Sequence, residues 1–173
     1  MMHILGSSLV GHRPLAKQRG YSLVEFLVAV LFLATVLTLA VPRLWHMGSE
    51  ARTAKQQAIF GSVRAAAQIT RASARVHNQM GPSGSVEIDG MRISTIYGYP
   101  TASAAGIVAA TGLDTSSDQI TLTDGGANAG NSITIALNGA RGTCSIVYTA
   151  PVSAETPPKI NLLNTEPSGG TGC

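Results

Sequence analysis

The chain lacks the local signatures of most enzyme classes. It has no nucleophile elbow, no phosphate-cradling glycine loop ending in Lys-Ser or Lys-Thr, and no His-based zinc motif. Its four histidines are dispersed: His3 and His12 sit in a basic N-terminal stretch, His46 follows an apolar run, and His77 falls on an apolar helical stripe, where it is expected to be packed. The only two cysteines, Cys144 and Cys173, share no recognised ligand spacing with His46 or His77, so neither a metal nor a cofactor is expected. Asp114, Asp118 and Asp124 have no EF-hand register and read as a solvated loop rather than a calcium site. No aromatic residue is interleaved with the arginines of the cluster at Arg64, Arg71 and Arg75, so a stacking platform for nucleic acid is missing there. Residues 1–20 contain no acid.

What the chain does contain is an apolar run at residues 20–42, GYSLVEFLVAVLFLATVLTLAVP, with a single carboxylate, Glu25. From Leu23 to Val41 a helix would be about 28 Å long at roughly 1.5 Å per residue, close to the thickness of a bilayer core. An acidic side chain in such a segment costs on the order of a few kcal/mol, less near an end, so it calls for a partner. The nearest basic residues are Arg19 and Arg43. A group on another chain, or a new amino terminus made by cleavage, would satisfy it. Two blander readings remain open: a secretory signal peptide cut after Thr38-Leu39-Ala40, and a plain single-span anchor. Neither gives Glu25 a role.

Gly20-Tyr21-Ser22-Leu23-Val24-Glu25-Phe26 resembles, position by position, the processing motif of the type IV pilins, with Tyr21 and Val24 as conservative departures from Phe and Ile. The resemblance implies that a prepilin peptidase cuts between Gly20 and Tyr21, that Tyr21 becomes N-methylated, and that Glu25 meets a neighbouring subunit's terminal amine during assembly. It also implies that Pro42 kinks the helix. Residues 1–20, with Arg13, Lys17 and Arg19, then read as a cleaved basic leader on the cytoplasmic side. Its loss would remove three of the 12 basic residues and leave nine against nine acids, so the basic balance says little about nucleic acid.

Residues 43–79 are rich in Ala, Arg and Gln and contain no proline, which predicts an amphipathic continuation of the helix, weakest at Gly48 and Gly61. Ile59, Val63, Ala66, Thr70, Ala74 and His77 recur at steps of three and four and form a stripe that can lie on a sheet. Arg64, Arg71 and Arg75 fall on a separate face. Residues 43–77 carry six basic groups and one acid, and residues 78–173 carry three basic groups and seven acids. Pairing of this helix with acidic heads, within and between subunits, is preferred to binding of DNA or lipid phosphate.

Gly81-Pro82-Ser83-Gly84 should end the helix, and residues 80–173 should form a head. Asp89-Gly90 between Val86-Glu87-Ile88 and Met91-Arg92-Ile93 signals a two-residue hairpin. Residues 102–112 suggest a short helix closed by Gly112, and strands are predicted at 119–123, 132–137 and 144–149 as a meander. The expected fold is α+β: one antiparallel sheet of about four to five strands under a long N-terminal helix. The hairpin followed by Tyr97-Gly98-Tyr99-Pro100 resembles, more finely, the mannose-sensitive haemagglutinin (MSHA) branch of the pilins, although a turn packed by two rings accounts for those residues without a ligand. In an exported chain of this family Cys144 and Cys173 should pair and tie down a proline-rich tail; free thiols would require a reducing compartment.

Taken together, the resemblance implies a non-enzymatic subunit of a type IV pilus. It would reside in the bacterial inner membrane as a precursor, then polymerise with other pilins into an extracellular filament for adhesion, surface attachment or motility. Its implied partners are the prepilin peptidase, the pilus assembly platform and further copies of itself, with no nucleic acid. A pseudopilin of a type II secretion system and a membrane-anchored or secreted binding domain are the competing classes.

Overall fold

The computed structural model describes residues 22–140, 142–165 and 173, with side chains except at 42–47 and 165. The chain divides into two compact units, residues 1–42 and 43–173. One helical element, α1, covers Leu23–Val76; Gly48 and Gly61 lie within it, and Pro42, which has no N–H, leaves the Thr38 carbonyl without its usual helical donor. In the first unit it consists of the apolar run alone.

In the second unit α1 ends by a Schellman motif rather than at the downstream Gly-Pro segment. Asn78 takes the left-handed conformation at φ 56°, Gln79 N–H donates to Ala74 O at 2.7 Å, and Asn78 N–H donates to Arg75 O at 3.3 Å. The buried stripe is Ile59, Val63, Ala66, Thr70 and Ala74, joined by Ala67 and Gln56. His77 is a correction: it lies beyond the last helical turn and is exposed, its Nδ1 2.9 Å from Ser73 O.

The strands form two sheets, not the single one expected. β1 (Gly84–Ile88), β2 (Met91–Ile96) and β3 (Tyr99–Pro100) make an antiparallel sheet in that order. Asp89 and Gly90, at φ 51° and 76°, form the predicted tight turn between Ile88 and Met91. A second turn of the same kind follows at Tyr97 (φ 49°) and Gly98 (φ 79°), which returns the chain as β3. A side chain at Gly98 would collide with Met80 Sδ as well as strain the backbone. Tyr99 is buried and Tyr97 half-buried, so the two rings pack this turn.

The short helix expected at 102–112 is a wide, π-type turn, Ala104–Val108, running into one α-turn, α2 (Ala109–Thr111), closed by Gly112 at φ 67°. Its irregularity is at Gly106 (φ −103°, ψ −105°), where a Cβ would run into the backbone and hydroxyl of Thr101.

The second sheet is an antiparallel meander of β4 (Ile120–Asp124), β5 (Ser132–Leu137), β6 (Thr143–Thr149) and β7 (Lys159–Thr165). β7 falls in the proline-rich tail and was not expected. It pairs along the whole of β6, from Thr143 opposite Thr165 to Thr149 opposite Lys159. β5 alternates half-buried and buried positions, the period of a strand with one face on a core. That core joins Ile59, Val63, Ala66 and Ala67 of α1 to Ile133, Ile135, Ile146 and Tyr148 of the meander and to Ile96 and Tyr99 of the smaller sheet. The Tyr148 hydroxyl, wholly buried, donates to Pro100 O at 2.7 Å and so ties one sheet to the other.

Candidate functional site: the apolar helix and the disulfide-closed head

Leu23–Val41 is long and apolar enough to cross a membrane, and within the first unit none of it is buried. Thirteen large apolar side chains from Leu23 to Val41 are 38–77 % exposed. Even at about 1 kcal/mol each, leaving them in water would cost as much as the whole net stability of a typical domain. Lipid or other apolar helices must therefore cover them. A membrane anchor and a signal sequence both fit this helix.

The polar residues of the span behave differently from one another. Thr35 Oγ1 donates to Phe32 O at 2.8 Å and Thr38 Oγ1 to Thr35 O at 2.7 Å, so both hydroxyls are satisfied by their own helix and tolerate hydrocarbon. Glu25 is exposed in the first turn, where the positive end of the helix dipole favours a carboxylate, yet no described side chain or backbone N–H bonds to it. Ser22 stands directly before the helix and its carbonyl accepts the first turn's bond from Phe26 N–H at 3.1 Å. Among the described residues of the span, Glu25 is the one polar side chain without a local partner. Gly20 and Tyr21, the expected cleavage and methylation positions, lie outside the described residues, as does the expected leader. Pro42 is helical in backbone, and its side chain is not described.

In the second unit Cys144 and Cys173 form a disulfide, with Cα atoms 5.0 Å apart and both residues buried. Cys144 lies opposite Asn164 in the β6–β7 ladder, and Asn164 Oδ1 accepts from Cys173 N–H at 3.2 Å. Gln56 on α1 reaches the same place. Its Nε2 donates to Ser145 O at 3.0 Å and to Leu163 O at 3.1 Å, residues that face each other across β6 and β7. Its Oε1 lies 3.4 Å from Cys173 Sγ, a contact rather than a hydrogen bond, because a disulfide sulfur carries no proton. Gln56 was not singled out in the sequence. Its position three residues before Ile59, in step with the stripe, is the signal that points to it.

The arginine face is real but uneven. Arg64 and Arg75 are exposed, whereas Arg71 lies across the ring of Tyr99, 4.3 Å from its centroid, and donates to the Tyr99 hydroxyl. Partial burial, and secondarily Arg75 beside it, lowers the Arg71 pKa from its ordinary value. Among the described residues no three His, Cys, Asp or Glu side chains gather where a metal could bind. Asp114 and Asp118 form a small self-bonded turn instead: Asp114 Oδ1 accepts from Ser116 N and Oγ at 2.8 and 2.6 Å, and Asp118 Oδ2 from Asp114 N at 3.0 Å. Comparison with protein-family models, with curated proteins and with solved structures found no match to this chain.

Proposed function

We propose that the chain is a type IV pilin, most like the MSHA-type subunits, made as a prepilin and polymerised into an extracellular filament that serves adhesion, surface attachment or motility. The observation that carries this reading is a fully exposed apolar helix whose single locally unpartnered polar side chain, Glu25, stands five residues after Gly20. In this reading the prepilin peptidase cuts between Gly20 and Tyr21 and the new terminal amine of Tyr21 is methylated. The subunit waits in the inner membrane with its span in lipid. The assembly platform then moves it into a filament core, where apolar helices cover one another and Glu25 pairs with the Tyr21 amine of a neighbour. A low dielectric strengthens that pair and penalises either charge left alone. The α+β head with its disulfide-closed tail would face outward. The disulfide and the Tyr97–Pro100 turn favour a surface pilin over a secretion pseudopilin.

Intact-mass and N-terminal analysis of the protein from membranes of cells with and without the prepilin peptidase tests this. A chain starting at methylated Tyr21, only where the peptidase is present, is the expected result. A terminus at Val41, or an unprocessed leader, overturns it. Long filaments in electron micrographs would then separate the pilus subunit from a pseudopilin.

A further inference from the structure

Arg64, Gln68, Arg71 and Arg75 are spaced by four, three and four residues, so they form one row along α1. Residues 51–86 contain five basic residues and no acid, and residues 93–140 contain three acids and no base. Charges so divided would pair within the chain if the fold brought them together. The fold brings Lys55 to the acidic turn, where its ammonium donates to the Asp118 backbone carbonyl, and Arg71 donates to Tyr99; among the described residues no basic side chain bonds a carboxylate, which leaves Arg64 and Arg75 without an acidic partner there. The within-subunit half of the expected charge pairing is therefore not made there. The acidic counterpart is the exposed turn at Asp114–Asp118. Its two bonds from Ser116 lower the Asp114 carboxyl pKa from its ordinary value.

We propose that the Arg64–Gln68–Arg71–Arg75 row docks the Asp114–Asp118 turn of a second copy of this chain. Charge complementarity selects the occupant. An open groove of about 290 Å³ lies beside the row, lined by Phe60, Arg64, Ala67 and Gln68 of α1 and by Pro157, Pro158 and Ile160, a mixed polar and apolar surface that the uncharged, hydroxyl-bearing middle of the turn, Thr115 to Ser117, would enter. The row and the turn are different sets of residues of one copy, so the contact is heterologous and can propagate into an open chain of subunits instead of closing a pair. The inference rests on the filament reading and adds to it a head-to-head contact separate from the apolar helices.

The test uses the full chain in cells that cut it after Gly20. The double variant Arg64→Glu, Arg75→Glu should lower filament yield roughly tenfold, and so should Asp114→Lys, Asp118→Lys, since each sets like charges face to face. The four changes together restore opposite charges and should recover most of the yield. Because Asp114 also shapes its own turn, a second measurement stands beside this one: Gln68→Cys with Ser117→Cys should give disulfide-linked ladders of subunits in sheared filaments. Filaments that form normally with either charge variant, or that yield no ladders, overturn the contact and leave the filament reading intact. Retardation of duplex DNA by the wild-type chain, lost in the arginine variant while its filaments are normal, assigns the row to nucleic acid instead. Correctly cut wild-type chain that never forms filaments overturns both.

Discussion

Replacing Gln56 separates hydrogen bonding from packing at the place where α1 meets the β6–β7 ladder. The side chain is 2 % exposed, and its one amide nitrogen serves two carbonyls, Ser145 O and Leu163 O. Gln56→Ala removes both bonds and leaves a void. A buried polar group stripped of its partner costs about 1–3 kcal/mol, and the lost carbons and cavity add about 1–2 kcal/mol. The expected loss is therefore on the order of 2–5 kcal/mol, a large share of the stability of a domain of this size. Gln56→Met keeps most of the volume without the donors and should recover only about 1–2 kcal/mol of that loss. The assay is urea unfolding of the detergent-solubilised full chain followed by near-ultraviolet circular dichroism, which reports the buried rings of Tyr99 and Tyr148. If the Ala variant unfolds within about 0.5 kcal/mol of the parent, the carbonyls have no need of Gln56 and the reasoning fails. If the Met variant is as stable as the parent, packing and not hydrogen bonding is what Gln56 supplies.

Breaking the disulfide with Cys144→Ser should cost about 3–4 kcal/mol by the chain-entropy model for a loop of roughly 30 residues, and hydrogen exchange should rise first in Lys159–Thr165. The Tyr148 phenol is pushed well above its ordinary pKa by burial, so the folded head holds the neutral form. Stability from this residue is fully present below the unfolded value of about 10 and falls as pH rises beyond it; Tyr148→Phe should lose that alkaline dependence in pH-resolved unfolding, together with the bond to Pro100. Glu25→Ala should still be cut after Gly20 but assemble poorly, measured as processed chain in membranes against sheared filament; normal filament yield would remove the pairing role of Glu25.

The parts of the fold legible in sequence were those carried by a single strong local signal. The three-and-four spacing from Ile59 to Ala74 located the packed face of α1, and Asp89-Gly90 located a hairpin to the residue. The same arithmetic overran at His77, because the left-handed Asn78 that ends the helix leaves no mark as plain as glycine. The division into two sheets was hidden by Tyr97: an aromatic residue at positive φ is not read as a turn residue, so β3 went unseen. β7 was masked by the prolines before and after it, although Ile160 and Leu162 alternate with polar Asn161 between them. Of the functional residues, Glu25 was conspicuous because a lone carboxylate in an apolar run is costly. Gln56 was not, since a glutamine on a helix is ordinarily solvated and only tertiary contact shows what its amide serves.

The bond between Cys144 and Cys173 also depends on strand alignment. Cys144 faces Asn164 across the ladder, and Asn164 holds the backbone of Cys173. A slip of β7 by one residue would turn Asn164 to the opposite face of the sheet and draw Cys173 away from its partner. The disulfide and the aligned register therefore support each other, since Asn164 holds the Cys173 backbone only when β7 is in step with β6. With only two cysteines in the chain there is no alternative intrachain pairing, so closing this one bond adds its loop constraint to the registered ladder.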